Sequence, residues 1–232
     1  MMLPRLRKEV AEANKSLVRL GLVTLTWGNV SGFDRGRGLV VIKPSGVPYA
    51  ALKPADMVIV DLQGKVVEGR LKPSSDTPAH VELYLSFADI GGITHTHSTC
   101  ATVFAQAKRE IPCLGTTHAD HFRGAVPVTR LLSELEVEYD YERNTGKVIV
   151  ERMRGVDPVS MPAVLVAGHG PFCWGVNAGE SVVNSVALER VAEMALAVYR
   201  LNPEARPLPA YVAEKHFGRK HGPDASYGQK KR

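Results

Sequence analysis

His95, Thr96 and His97 close the segment Gly91-Gly92-Ile93-Thr94-His95-Thr96-His97, where two glycines precede β-branched residues. Such a run reads as a strand, and side chains two apart on a strand leave from one face, so both imidazoles point the same way. A third histidine, His169, follows far downstream in Gly168-His169-Gly170-Pro171. Zinc accepts His nitrogens at about 2.0–2.1 Å, and a catalytic site uses three protein ligands with one position left for water or substrate. His95, His97 and His169 are therefore the candidate ligands of a catalytic divalent metal, with a nearby carboxylate to complete the set. A lone histidine is more often a satisfied core or surface residue. Two on one strand face, with a third in a glycine-rich turn, change that balance.

Three short stretches have the composition of anion-binding loops: Gly28-Asn29-Val30-Ser31, Lys43-Pro44-Ser45-Gly46 and Lys72-Pro73-Ser74-Ser75-Asp76. Glycines and small hydroxyls let backbone N–H groups approach a phosphate, and the helix expected to begin near Asp76 adds its dipole. Any one of them alone is more often a plain turn, and none matches the Gly-x-x-x-x-Gly-Lys nucleotide loop. Together they point to a small phosphorylated metabolite such as a sugar phosphate. Asp76 has two readings: a helix cap in Ser-Ser-Asp-Thr-Pro, or a carboxylate beside the metal. The irregular, polar stretch from Ile111 to Phe122, with Thr116, Thr117, His118 and Asp120, is further candidate site material. Tyr227, close to the end, can donate and accept a proton if it reaches a reacting oxygen.

The elements that must position these residues follow from periodicity. Apolar side chains at helical spacing make Leu3 to Leu22 a first helix, stopped at Gly21. Val23 to Thr26 and Gly38 to Ile42 are strand-like, and Met57 to Leu62 with Lys65 to Glu68 flank Gln63-Gly64 as a hairpin. A helix is expected from Asp76 to about Asp89, another over Ser98 to Lys108, the longest over Asn177 to Leu201, and a last one over Pro209 to His221. Ala163 to Ala167 is a buried strand that delivers His169, and Phe172 to Gly175 continues it. This order predicts α/β layers around one sheet, without giving the strand order.

The 232 residues suffice for a single domain, and 44% hydrophobic with 23% charged residues is ordinary for a globular protein. No apolar run reaches the roughly 20 residues of a membrane span, and the first residues enter an amphipathic pattern rather than a signal peptide, so a cytoplasmic location is expected. Cys100, Cys113 and Cys173 are too few and too scattered for a disulfide framework and are expected to be buried thiols. The net charge of +5 is spread over the chain except at its end, where Lys215, Arg219, Lys220, Lys230, Lys231 and Arg232 gather. Aromatic residues do not alternate with these cations in the way a stacking platform for single strands requires, so neither nucleic acid nor membrane is an expected partner.

These segments together make the chain resemble the class II aldolase/epimerase family, and within it the L-ribulose-5-phosphate 4-epimerases. The likeness runs over nearly the whole chain through Leu25-Thr26-Trp27-Gly28-Asn29-Val30-Ser31, Ile42-Lys43-Pro44-Ser45-Gly46-Val47, Lys72 to Pro78, His95 to Ser98, Gly115 to Asp120, Gly168 to Phe172, and Lys220-His221-Gly222 through Tyr227-Gly228-Gln229. The resemblance implies a single domain, 1–232, with a central, mainly antiparallel sheet and helices on its faces. It implies zinc, replaceable by manganese or cobalt, on His95, His97 and His169 with Asp76 as the carboxylate. Gly28, Asn29, Lys43, Ser45, Gly46, Ser74 and Ser75 would hold the substrate, chiefly its phosphate, with Arg219 assisting. Asp120 and Tyr227 would be the acid/base pair, with Thr116, Glu142 and His216 nearby. The assembly implied is a cyclic homotetramer with active sites between subunits, where the tail 222–232 would dock.

The implied reaction is epimerisation of L-ribulose 5-phosphate to D-xylulose 5-phosphate at C4, a step of carbohydrate metabolism that serves arabinose or ascorbate breakdown. C4 of a 2-ketose is not α to the carbonyl, so simple deprotonation cannot invert it. Retro-aldol cleavage of C3–C4, rotation of the glycolaldehyde phosphate and re-addition can, with zinc stabilising the enediolate as a Lewis acid. The nearest alternative is a class II sugar-phosphate aldolase of the L-fuculose 1-phosphate type, which carries Glu where this chain has Asp76. A methylthioribulose-phosphate dehydratase agrees less closely along the chain. A structural domain derived from the fold would have no reason to keep Asp76, Asp120, Tyr227 and all three histidines. The stretch Pro223-Asp224-Ala225-Ser226 and the terminal Lys230-Lys231-Arg232 depart from the epimerase pattern.

Overall fold

The computed structural model describes residues 1–222 and 225. One antiparallel sheet of seven strands organises them: β1 (Gly28–Asp34), β2 (Leu39–Ile42), β3 (Val58–Asp61), β4 (Val66–Glu68), β5 (Gly92–Thr96), β6 (Ala163–Leu165) and β7 (Pro171–Gly175), in the order β4-β3-β2-β1-β5-β7-β6. The central strands read Leu-Val-Val-Ile and Val-Ile-Val because both faces are covered. Val40, Val58 and Val60 enter one apolar cluster, and Leu39, Val41 and Ile59 enter the other. Alternation along a strand sends neighbours to opposite faces, so each cluster takes every second residue.

Helix α1 (Pro4–Arg19) closes one face with Val10, Ala11 and Leu17 fully buried. The other face is built on α2 (Thr77–Ser86), α3 (Thr99–Gln106) and α6 (Tyr141–Arg152), and the 24-residue α7 (Ala178–Leu201) contributes to both clusters. The short α4 (Thr116–Ala119) and α5 (Glu134–Glu138) complete the elements before α8 (Ala210–His221). No helix among the described residues is long and apolar enough to cross a membrane.

The strand expected over Val23 to Thr26 is not one. Leu25 adopts φ +53° and Trp27 N–H donates to Thr24 O at 3.1 Å, so these residues make a turn, and the pairing begins at Gly28. The segment expected as a loop after that strand, Gly28 to Ser31, is the strand itself. Propensity favoured Val-Thr-Leu-Thr, but only from Gly28 does a partner exist: Gly28 pairs with Thr96 and Asn29 with His95. Helices α5 and α6 lie in a stretch for which periodicity gave no element. The cysteines are free, with Cys113 and Cys173 buried and Cys100 only half-buried.

Glycine determines how tightly the histidine strand is held. A Cβ on Gly92 would lie 2.2 Å from Asn177 C and 2.3 Å from Ala178 N, so β5 passes directly under the start of α7. Gly28, at φ +121°, is tight on the other side, its hypothetical Cβ 2.8 Å from His95 O. A side chain at either place would displace the backbone that carries His95.

Candidate metal centre and its surroundings

Antiparallel register sets Asn29, His95 and Phe172 in one row across β1, β5 and β7. His95 is 2% exposed, its ring stacks on Phe172 with centroids 4.2 Å apart, and its Nδ1 donates to Pro171 O at 3.0 Å. A carbonyl only accepts, so the proton sits on Nδ1 and the Nε2 lone pair is free. His97 Nε2 lies 3.2 Å from His95 Nε2. His169 is delivered by a tight turn in which Val166 N–H donates to Gly170 O at 2.9 Å and Gly168 takes φ +73°. One nitrogen from each of the three imidazoles falls within 4.8 Å of the others. Two nitrogens on one tetrahedral zinc are separated by about 3.3 Å at the usual bond length, so this donor set fits a single divalent ion.

Asp76 stands at the N-terminus of α2 but does not cap it with its side chain. The capping reading is overturned: its Oδ2 accepts from Asn29 Nδ2 at 2.6 Å, and that amide also donates to Ser74 Oγ at 3.1 Å. Burial pushes the Asp76 carboxyl up, but His95, His80, the Asn29 amide and His169 outweigh it and hold it below its ordinary value. Burial, then His95 and His97, drives the His169 imidazole down to about 3, and burial with His95 lowers His97. Imidazoles kept neutral at pH 7 are imidazoles with lone pairs to give a metal.

All three anion-type loops converge here. A cavity of roughly 350 Å³ is lined by Gly28, Asn29, Lys43, Ser45, Gly46, Ser74, Ser75, Asp76 and the three histidines. Two of the loops are zipped together, Ser45 N–H donating to Lys72 O at 2.9 Å and Ser74 N–H to Lys43 O at 3.0 Å. Lys43 is 2% exposed, lies over the Tyr49 ring at 5.0 Å and donates to Pro44 O at 3.2 Å. Burial lowers its pKa, and an ammonium has three donors, so an arriving phosphate would find an under-solvated cation. Asn29 Oδ1 is buried with no partner among the described residues.

Asp120, His216 and Arg219 form a second group. Asp120 ends α4, and α8 brings His216 Nδ1 within 3.1 Å of its Oδ1, Arg219 Nη2 within 2.7 Å of its Oδ2 and Lys220 Nζ within 3.8 Å. Burial raises this carboxyl, but the Arg219 and His216 hydrogen bonds prevail and hold it down. Thr116, at the start of α4, is exposed. None of Thr116, Asp120, His216 or Arg219 lines the cavity. Glu142 is half-buried near the start of α6, and Tyr227 lies outside the described residues. Sequence reasoning missed Tyr141, whose hydroxyl is 3.3 Å from His169 Nδ1 and whose ring stacks on that imidazole. A tyrosine in a polar stretch, brought in by a helix that periodicity did not reveal, carries no signal of its own.

A seven-stranded antiparallel sheet with helices on both faces and a three-histidine, one-carboxylate cavity at the ends of β1, β5 and β7 defines the class. Residues 8–196 match the Class II Aldolase and Adducin N-terminal domain family, and the chain belongs to it. The chain is 56% identical over 226 residues to the L-ribulose-5-phosphate 4-epimerase UlaF of Salmonella paratyphi B, covering 97% of this chain and 99% of the relative, and equally to that of Salmonella typhi. Among solved structures, an L-fuculose 1-phosphate aldolase is 29% identical with a TM-score of 0.74, covering 93% of this chain and 95% of the other. A protein from Klebsiella pneumoniae described as a putative aldolase/epimerase/decarboxylase is 27% identical with a TM-score of 0.73, covering 93% and 99%.

Proposed function

We propose that this chain is a metal-dependent sugar-phosphate epimerase that interconverts L-ribulose 5-phosphate and D-xylulose 5-phosphate at C4. The observation that carries the reading is the meeting of His95, His97, His169 and Asp76 in the cavity that Asn29, Lys43, Ser45, Gly46, Ser74 and Ser75 line. Full-length identity of 56% to proteins of that name supports it.

A divalent metal held by the three imidazoles with Asp76, zinc by preference, would supply Lewis-acid stabilisation of the charge that builds on the ketose C2 and C3 oxygens. The chain's own residues do the rest. Lys43, with the Ser45–Gly46 and Ser74–Ser75 loops, holds the phosphate, so the two-carbon aldehyde stays bound when C3–C4 breaks and can turn its other face before the bond re-forms. One group takes the C4 hydroxyl proton as the bond breaks, and another returns a proton to the C4 oxygen afterwards. Asp120 and Tyr227 fill these roles in our reading, with Thr116, Glu142 and His216 beside them and Arg219 on the phosphate.

Asp120, His216 and Arg219 are absent from this chain's cavity lining, which supports active sites shared between subunits of a homotetramer, with the segment 222–232 docked at the interface. A small metabolite as substrate and the lack of a membrane-spanning helix among the described residues support a cytoplasmic location. The test is to load the purified protein with zinc, manganese or cobalt, add L-ribulose 5-phosphate and follow D-xylulose 5-phosphate. No product with any metal overturns the proposal. Cleavage of L-fuculose 1-phosphate instead would establish the aldolase reading, which the structural likeness to that aldolase favours as second choice.

A further inference from the structure

Asp76, His80 and Tyr84 are spaced four apart on and just before α2, so they share one face of the helix. Asn29, Ser31 and Phe33 alternate on β1 and share one face of the sheet. The two rows meet residue for residue. Asn29 holds Asp76, Ser31 Oγ lies 2.7 Å from His80 Nδ1 and 2.8 Å from Tyr84 Oη, and the Phe33 and Tyr84 rings lie 4.8 Å apart. Ser31 and His80 are fully buried and Tyr84 is 1% exposed, so this is a polar seam running inward from the metal-linked carboxylate through an otherwise apolar layer.

Counting hydrogens orders the seam. Ser31 Oγ is the one hydrogen-bond partner of the Tyr84 hydroxyl among the described residues, so the phenolic proton goes to it. The Ser31 proton then has one acceptor in reach, His80 Nδ1. His80 must carry its hydrogen on Nε2, and that atom is buried with no partner among the described residues. Its ring meets Phe172 edge-on at 5.9 Å, and Phe172 is the ring on which His95 stacks. Burial keeps His80 neutral, with Asp76 and His95 as the charged or polar groups that act on it. An apolar side chain would fill this place without leaving a buried donor desolvated and unpaired.

We propose that His80 is a positioning residue of the metal centre: the Tyr84–Ser31 relay holds it in the Nε2–H form, and it fixes α2 on β1 so that the Asp76 carboxylate faces His95 and His97. The proposal rests on the reading of Asp76 as the metal-linked carboxylate.

The test compares Tyr84→Phe, Ser31→Ala and His80→Gln in the full chain, with zinc affinity measured by competition with a chelating dye, alongside thermal unfolding of the metal-free protein. Each variant is expected to weaken zinc binding by at least about tenfold, and to lower kcat for L-ribulose 5-phosphate with KM little changed. In an Asp76→Asn background the same changes should cost no further zinc affinity, because they act through that carboxylate. Nitrogen-15 spectra should show His80 as the Nε2–H tautomer in the wild type. A merely structural seam would lower the melting temperature and leave zinc affinity of the folded protein intact. That result, additive losses with Asp76→Asn, or an Nδ1–H tautomer would overturn the proposal. If His80→Gln does not fold, Tyr84→Phe, which removes one oxygen, carries the same measurements. A wild type that binds zinc but makes no D-xylulose 5-phosphate would refute the proposed reaction and leave the affinity comparison able to decide the role of His80.

Discussion

The cavity around His95 and the cluster around Asp120 have opposite designs. In the first, three imidazoles converge on strand ends and a turn fixed by backbone pairing, and an amide oxygen, Asn29 Oδ1, is buried with no partner among the described residues. In the second, a carboxylate at the end of one short helix is already satisfied by Arg219 and His216 from another. Groups left wanting a partner at the end of a rigid sheet mark a place prepared for a ligand. Groups that neutralise one another between surface helices need a further event, such as a substrate or a neighbouring subunit, before they can handle protons.

The sharpest way to break this contrast is to remove a ligand. His95→Ala or His169→Ala should abolish both bound metal and turnover, measured by metal analysis and product assay; retained stoichiometric metal would put the ion elsewhere. Asp120→Asn should leave metal content intact yet reduce kcat by about 10²–10⁴, the usual worth of a positioned acid or base. Mixing unfolded Asp76→Asn and Asp120→Asn subunits and refolding them together should recover activity if the two regions meet across an interface. Recovery to no more than the sum of the separate variants would confine the site to one chain.

Smaller effects distinguish phosphate binding from proton transfer. Lys43→Met should raise KM by about 10- to 100-fold, matching a charge-assisted hydrogen bond of roughly 1.5–3 kcal/mol, with kcat less affected. Because burial sets the Lys43 pKa below its ordinary 10.5, the wild-type ammonium discharges as pH rises through that lowered value, and KM should climb there. An alkaline limb that persists unchanged in Lys43→Met would assign it to another group.

The smallest effect concerns how the second region is anchored. His118 Nε2 donates to Gly124 O at 2.8 Å, and burial, against that bond, takes its pKa down to about 4 from 6.5. The unfolded chain protonates it first as pH falls, so its contribution is whole above pH 6.5 and disappears as pH drops through 4. Unfolding curves for His118→Gln should show a correspondingly shallower loss between pH 7 and 4, and parallel curves would refute the assignment.

Much of the first region was legible in the sequence because its signals are local. A strand's two-residue repeat put His95 and His97 on one face, and glycines around His169 announced a turn. Composition marks the loops, although the Gly28–Ser31 segment, loop-like in composition, is a strand with a long-range partner. Asp76 reads both as a cap and as a carboxylate of the site, because the Asn29 amide that draws its side chain away from the helix end is distant in sequence. Tyr141 and the Ser31–His80–Tyr84 seam left no trace, since they depend on how α6 and α2 lie on the sheet.

The two tryptophans of the chain sit in unlike places: Trp174 is 1% exposed in the core, whereas Trp27 is 52% exposed and its ring lies 6.5 Å from that of His97. Emission from the protein is therefore divided between a sheltered blue-shifted source and a wet red-shifted one at the mouth of the cavity. A paramagnetic ion such as cobalt would quench the red component selectively, so the chain carries an optical gauge of its own occupancy that needs no added dye.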